Sequence, residues 1–276
     1  MKKKITPLVL VVIVVACAFA AGYFWKMRNH NHNLIKVSGN IEGDDVRLSF
    51  RVQGQITELL TDEGQVVKTG EIVARLNTDE LTQTRDNAEG LLKAQEHQYV
   101  LDKLDYERAE NLFKAGAIPM QQRDAAKTLA DADKANIDAL KASLILANTR
   151  LGFTELASPL NGYVLVKSAL PGEVVQIGAP VFTVIDLNNI WVTAYINEAD
   201  LGKVKLNQEA YVITDTYPGK RYKGWVSFVS SQAEFTPKTI QTTEERVKLV
   251  YRIKVRVDNS SLELKPGMPA DAYIIK

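Results

Sequence analysis

A short glycine-marked pattern occurs twice in this chain. DEGQVVKTGEIVARL (Asp62–Leu76) and LPGEVVQIGAPVFTV (Leu170–Val184) align Gly64 with Gly172, Val66 and Val67 with Val174 and Val175, Gly70 with Gly178, and Val73 with Val181. Upstream, Gly54 matches Gly162 at the same offset. Glycines set between short Val/Ile/Leu runs mark short strands joined by tight turns, where glycine accepts positive φ. Ile72, Ala74 and Leu76 alternate with Val73 and Arg75, as a strand does. Each copy is too short to bury a core by itself. The two halves are therefore expected to pack as one pseudo-symmetric β-sandwich, with the intervening chain protruding from it.

That intervening chain reads as helix. Between Thr78 and Phe153 the only proline is Pro119, and Ala, Leu, Gln, Glu, Lys and Asp dominate. Ala88, Leu92, Gln95, Tyr99, Asp102, Tyr106, Ala109 and Phe113 recur at alternating spacings of four and three. So do Ala126, Ala130, Asp133, Ile137, Leu140, Leu144, Ala147 and Leu151. These are heptad seams. In Lys114-Ala-Gly-Ala-Ile-Pro119, Gly116 ends the first helix and Pro119 starts the second. The antiparallel register predicted from these seams pairs Phe113 with Ala126, Ala109 with Ala130, Tyr106 with Asp133, and Leu92 with Ala147. In that register Tyr106 can donate a hydrogen bond to Asp133. Asp102 and Asp133 are expected to stay hydrated in a half-exposed two-helix seam.

The flanks differ. Met1-Lys-Lys-Lys4 precedes an uncharged run from Ile5 to Trp25. At ~1.5 Å per residue that run reaches across a hydrocarbon core of ~30 Å. Lysines 2 to 4 would stay cytoplasmic, with Tyr23 and Trp25 at the far interface. Ala18-Phe19-Ala20 also resembles a signal-peptidase site, and Val14-Val15-Ala16-Cys17 a lipobox. All three readings export residues 34–276. His30 and His32 lie in a polar spacer and are too few for a metal site. Leu34 to Val52 reads as extended, with Gly39 and Gly43 as breaks.

The C-terminal part, from Ile190 to Lys276, reads as all-β. Val247, Leu249, Tyr251, Ile253, Val255 and Val257 alternate with a basic face carrying Lys248, Arg252, Lys254 and Arg256. Gln208–Thr214 and Trp225–Val229 are further strands, and Glu198–Lys203 one short helical turn. Asp215-Thr-Tyr-Pro-Gly219 and Lys265-Pro-Gly267 are turns. Several short strands joined by turns predict a small barrel.

The net charge of +1 offers no basic excess for nucleic acid. Cys17 is the single cysteine, so neither an intramolecular disulfide nor a cysteine metal site is expected. There is no G-x-x-x-x-G-K-[ST], G-x-S-x-G or H-E-x-x-H, and the third histidine, His97, lies off the helical seam. Neither enzymatic activity nor a cofactor is expected.

The layout resembles the HlyD-type membrane fusion proteins, the periplasmic adaptor subunits of bacterial export and efflux pumps. VQGQITELLTDEGQVVKTGEIVARL resembles the first half-lipoyl motif of that family. SPLNGYVLVKSALPGEVVQIGAPVFTVIDLNNIWV resembles the second half and the entry to the barrel. INEADLGKVKLNQEAYVITDTYPGKRYKGWV and LKPGMPADAYI are similar to the barrel stretches. The expected architecture is α+β, elongated and multi-domain. An N-terminal transmembrane anchor and linker occupy 1–33, and a strand joining the β-barrel occupies 34–49. A lipoyl-like β-sandwich is built from 50–77 and 156–187, split by an antiparallel α-helical coiled-coil hairpin at 78–155. A C-terminal β-barrel fills 188–276. In related carrier domains a lysine on the turn joining the halves bears lipoate or biotin. Here the hairpin replaces that turn, so the fold is implied and the carrier chemistry is not.

The resemblance implies the cell inner membrane as location, with a single-pass anchor and the bulk of the chain in the periplasm. It implies a homo-oligomer, a hexamer or three dimers. An inner-membrane transporter of ABC, resistance-nodulation-division (RND) or major-facilitator (MFS) type would be one partner, and an outer-membrane TolC-like channel the other. Adaptors that dock such channels carry an arginine, a leucine and a serine at the spacing held here by Arg108, Leu112 and Pro119. Pro119 lacks the hydroxyl that would cap a helix or bond a channel. The implied partner-binding tip comprises Arg108, Leu112, Gly116, Pro119 and Gln121. The structural turns comprise Gly54, Gly64, Gly70, Gly162, Gly172 and Gly178. An envelope scaffold or ligand-binding protein without an outer-membrane channel is the competing reading.

Overall fold

The computed structural model describes residues 34–235 and 249–276. The segment 5–25, Cys17, the linker histidines, Val247 and Lys248 lie outside the described residues. Among the described residues, no helix is long and apolar enough to cross a membrane. The fold is α+β, and the chain divides into two compact units. One is Asp45–Ile185; the other takes the chain up to Asp44 together with Asp186–Lys276.

The first unit holds both copies of the repeat, and the copies interlock. The first contributes β2 (Gly54–Leu59), β3 (Val66–Val67) and β4 (Ile72–Leu76). After β5 (Glu155–Ala157), which pairs with β4, the second contributes β6 (Gly162–Lys167), β7 (Val174–Val175) and the start of β8 (Pro180–Asn197). β2 pairs with β7, and β6 pairs with β3, all antiparallel. Each copy therefore lends its middle strand to the other. The hydrogen bonds repeat with the symmetry. Gly172 N–H donates to Ile56 O at 2.8 Å, and Gly64 N–H to Val164 O at 2.9 Å. Gly178 N–H donates to Phe50 O, and Gly70 N–H to Ser158 O. The core is matched too: Ile56 with Val164, Val67 with Val175, Val73 with Val181, and Leu76 with Val184 are all buried. Each such side chain removed from water contributes ~1.5–3 kcal/mol.

Gly64, Gly70, Gly172 and Gly178 take φ between 80° and 90°. Gly54 and Gly162 do not; they open strands instead of turning the chain. A Cβ on Gly162 would stand 2.4 Å from Ile185 O, and one on Gly54 would stand 3.2 Å from Leu76 Cδ1. Their hydrogen side chains serve close approach, a need that a turn-based reading of the pattern misses.

From this unit rise α1 (Asp79–Lys114) and α2 (Met120–Gly152), the two arms of a hairpin. Asn77 starts α1 by accepting the Asp79 N–H at 2.9 Å. At the exit, Leu76 N–H donates to Thr154 O at 2.9 Å, so the arms leave and return at one point. The seam register differs from the one the heptads predict. Asp133 faces Asp102, not Tyr106, and both aspartates are buried, at 7% and 8% exposure. Ala147 lines one small cavity with Ala88. The shift is about one helical turn, and at the tip the Arg123 guanidinium lies 4.8 Å from the Phe113 ring centroid.

In the second unit β8 continues into α3 (Glu198–Leu201), followed by β9 (Glu209–Thr214), β10 (Tyr222–Phe235), β11 (Leu249–Val257) and β12 (Pro269–Ile275). With β1 (Leu34–Ser49) they run in the order β1-β12-β9-β10-β11-β8, and a β1–β8 pairing closes the barrel. Closure depends on Gly39, where a Cβ would stand 1.9 Å from Thr193 O. β1 is continuous, so Gly39 and Gly43 are not breaks. β11 also departs from simple alternation: Val250 is buried and Leu249 exposed, because the β10–β11 register shifts between Val229 and Ala233. Its basic residues are engaged. Arg252 pairs with Glu234 at 3.2 Å, Lys254 lies 4.0 Å from the Trp191 ring centroid, and Arg256 donates to Asn189.

Candidate docking surface

The hairpin tip is built by one helix terminus and one crossing side chain. α1 ends in a Schellman motif. Gly116, at φ 72°, donates its N–H to Phe113 O at 2.9 Å, and Ala117 donates to Leu112 O at 2.8 Å. Pro119 then precedes α2 at φ −71° and ψ 153°, with no side-chain cap. Proline preorganises this entry through its ring, where a serine would act through its hydroxyl.

Arg123 ties the two arms together. Its guanidinium lies 4.8 Å from the centroid of Phe113 and 3.6 Å from Glu110, which Lys114 also approaches at 3.2 Å. Asp124 pairs with Arg123 at 2.8 Å. The Arg123 side chain is only 22% exposed, so it is better sheltered than an ordinary surface cation. Sequence reasoning missed Arg123, which continues the second seam three residues before Ala126, because the seam read from Ala126 stops short of it. An aromatic residue one turn from a basic one across a short loop is the signal that could have found the pair.

The residues expected at the tip separate into two kinds. Gly116 and Pro119 shape the turn. Arg108, Leu112 and Gln121 are exposed. Arg108 pairs with Asp105 at 2.7 Å. Leu112 is 48% exposed, and Met120, absent from the expectation, is 57% exposed. The tip thus presents two apolar side chains beside an arginine and an amide. Such a set can bind a surface groove; it holds no nucleophile and no metal-ligand cluster among the described residues.

Residues 45–186 match the family model of the CzcB-like barrel-sandwich hybrid domain, and 190–274 the YknX-like beta-barrel domain. A UPF0194 membrane protein of Acidithiobacillus ferridurans is 31% identical over 326 residues, covering 99% of this chain and 96% of its own. This chain belongs to the UPF0194 membrane protein family.

Solved structures agree on the fold of this UPF0194 protein. MacA from Actinobacillus actinomycetemcomitans superposes with a TM-score of 0.74 at 23% identity, over 88% of this chain and 79% of that one. The membrane fusion protein Spr0693 from Streptococcus pneumoniae R6 gives 0.68 at 17%, over 87% and 98%. At these identities the likeness concerns architecture: the interlocked sandwich, the inserted hairpin and the barrel.

Proposed function

We propose that this protein is a membrane fusion protein acting as a periplasmic adaptor, coupling an inner-membrane transporter to an outer-membrane channel of the TolC type. The observation that carries the reading is the hairpin tip, where Leu112 and Met120 are exposed on a turn that Arg123 and Gly116 hold in shape. Apolar side chains at the end of a long two-helix projection contribute nothing to the sandwich core, so a partner surface is their natural counterpart. Residues 5–25 would anchor the chain in the inner membrane, and residues 34–276 would lie in the periplasm. Several copies, six by family resemblance, would surround a conduit. The transporter, of ABC, RND or MFS type, would supply the energy, and the adaptor would supply continuity and coupling instead of catalysis.

Pro119 supports a second reading. It stands where channel-docking relatives have a serine, so it offers no side-chain hydrogen bond. An envelope scaffold without an outer-membrane channel fits that loss.

The test is photo-crosslinking in living cells from a light-activated residue at Gln121, with the captured proteins identified by mass spectrometry. The adaptor reading expects an outer-membrane channel in the adduct. Adducts confined to inner-membrane proteins or to further copies of this chain would overturn the channel partner and leave the scaffold.

A further inference from the structure

A cleft of about 770 Å³ opens where the hairpin meets the sandwich. Its walls come from four places: the segment before β2, the first turn of α1, the last turns of α2, and the turn between β7 and β8. Two features set it apart from the rest of the surface. Arg51 and Arg150 both line it, and neither has a carboxylate partner among the described residues. Every other described arginine but Arg47 and Arg221 pairs with a carboxylate or donates to a side-chain amide. The Arg51 guanidinium instead lies 5.2 Å from the centroid of Phe153. One carboxylate, Glu80, lines the same cleft and leaves a cationic excess. The second feature is apolar. Leu81, Leu146, Phe153 and Ile177 share these walls, and Leu146 and Ile177 are more than half exposed.

Unpaired guanidiniums beside exposed hydrocarbon define a specific complement. A small inorganic anion would answer the arginines and leave Ile177 and Leu146 in water. A neutral apolar molecule would cover those side chains and desolvate the arginines without compensation. A molecule with an anionic head and an apolar body satisfies both. We propose that this cleft binds an amphipathic anion. Arg51 and Arg150 would receive its carboxylate or phosphate ester, and its hydrocarbon would lie on Phe153, Leu81, Leu146 and Ile177. Bilayer lipid and small soluble amphiphiles share this chemistry. The inference stands on the sandwich and the hairpin base alone and does not depend on the adaptor reading.

The test uses the full chain in nanodiscs of neutral phosphatidylcholine and a long-chain fatty acid bearing a diazirine. Labelled peptides containing Phe153 or Ile177 are expected. The double variant Arg51→Gln/Arg150→Gln should lose about tenfold or more of that labelling, the scale of two charge-assisted contacts. Arg51→Lys/Arg150→Lys should retain most of it. Both side chains are exposed, so the thermal midpoint should not move; a variant with an unchanged midpoint is the valid comparison. Decyl phosphate should compete, and decyltrimethylammonium should not. Competition by phosphatidylglycerol placed in the nanodisc would identify bilayer lipid as the source; competition only by the soluble phosphate would identify a soluble amphiphile. Undiminished labelling of the glutamine variant overturns the proposal. So does equal competition by the cationic amphiphile, or by inorganic phosphate alone.

Discussion

Asp102 and Asp133 meet across the hairpin seam, both buried, and among the described residues neither is in an ion pair. Gln98 Nε2 donates to Asp102 Oδ2 at 3.0 Å. Two adjacent carboxylates cannot both ionise cheaply in such a place, so they share a proton. The neighbouring Asp102 carboxylate, aided by burial, holds Asp133 above the usual carboxylate range. The hydrogen bond from Asp133 holds Asp102 below it.

The sign of the resulting pH effect follows from linkage. Asp133 has a raised folded value, so its contribution is complete below the unfolded carboxylate value and is lost as pH rises through the raised one. Asp102 has a lowered value, so its contribution is present above the unfolded value and is lost as pH falls through the lowered one. The hairpin is therefore best stabilised between the two. Thermal unfolding of the wild type followed by helix circular dichroism should weaken as pH rises from the ordinary carboxylate value towards neutrality. Asp133→Asn should remove that slope. Identical slopes in the two proteins would refute the shared proton.

In the barrel the sign is opposite. Glu263 accepts hydrogen bonds from Lys220, Tyr222 and Ser261 and is held down at about 2. Burial, with Glu263 beside it, pushes the Tyr222 hydroxyl well above its ordinary value. The Glu263 contribution is present above the unfolded carboxylate value and disappears as pH falls towards 2. Glu263→Gln should flatten the acid limb of barrel unfolding, read by tryptophan fluorescence, while leaving the hairpin's pH response intact. An unchanged acid limb would assign acid sensitivity elsewhere.

The glycines give a paired prediction. Gly162→Ala places a methyl 2.4 Å from Ile185 O, where two backbones must separate, and should cost at least ~1–3 kcal/mol. Gly172→Ala meets no atom within 4 Å and bears only the strain of φ 90°, roughly 1 kcal/mol. Denaturant unfolding should rank Gly162→Ala as the more damaging; the reverse order would show that the turn, not the close approach, limits the sandwich.

Arg123→Ala should loosen the tip without unfolding the hairpin. The lost ring contact and ion pair are together worth about 1 kcal/mol. Hydrogen exchange should accelerate at residues 113–123 and stay unchanged near Asn77 and Thr154. Uniform acceleration along both arms would contradict a local role.

The repeat was legible because strand pairing, turn glycines and buried valines impose the same spacing on both copies. The hairpin was legible because proline and glycine punctuate it between long helix-forming runs. Its register was not. A heptad reading says which residues lie in the seam, but sliding one arm past the other by a turn keeps every seam residue in the seam, so the reading leaves the register open. Gly54, Gly162 and Gly39 resemble turn residues in sequence, since nothing local distinguishes a glycine that bends a chain from one that lets a second backbone approach. At the tip, Arg108 and Leu112 are singled out by the family resemblance, and both side chains are exposed. The exposure of Met120 required the third dimension.

The exchange of middle strands between the copies dictates an order of events. Gly64 and Gly70 donate their N–H groups to residues that follow the hairpin, so the first copy emerges with no partner and must wait. The helices need only near neighbours and form sooner. Once their arms close, Leu76 and Thr154 stand side by side, and the long excursion between the copies counts as a short loop. The hairpin thus acts as the jig in which the sandwich is assembled, before it serves any partner.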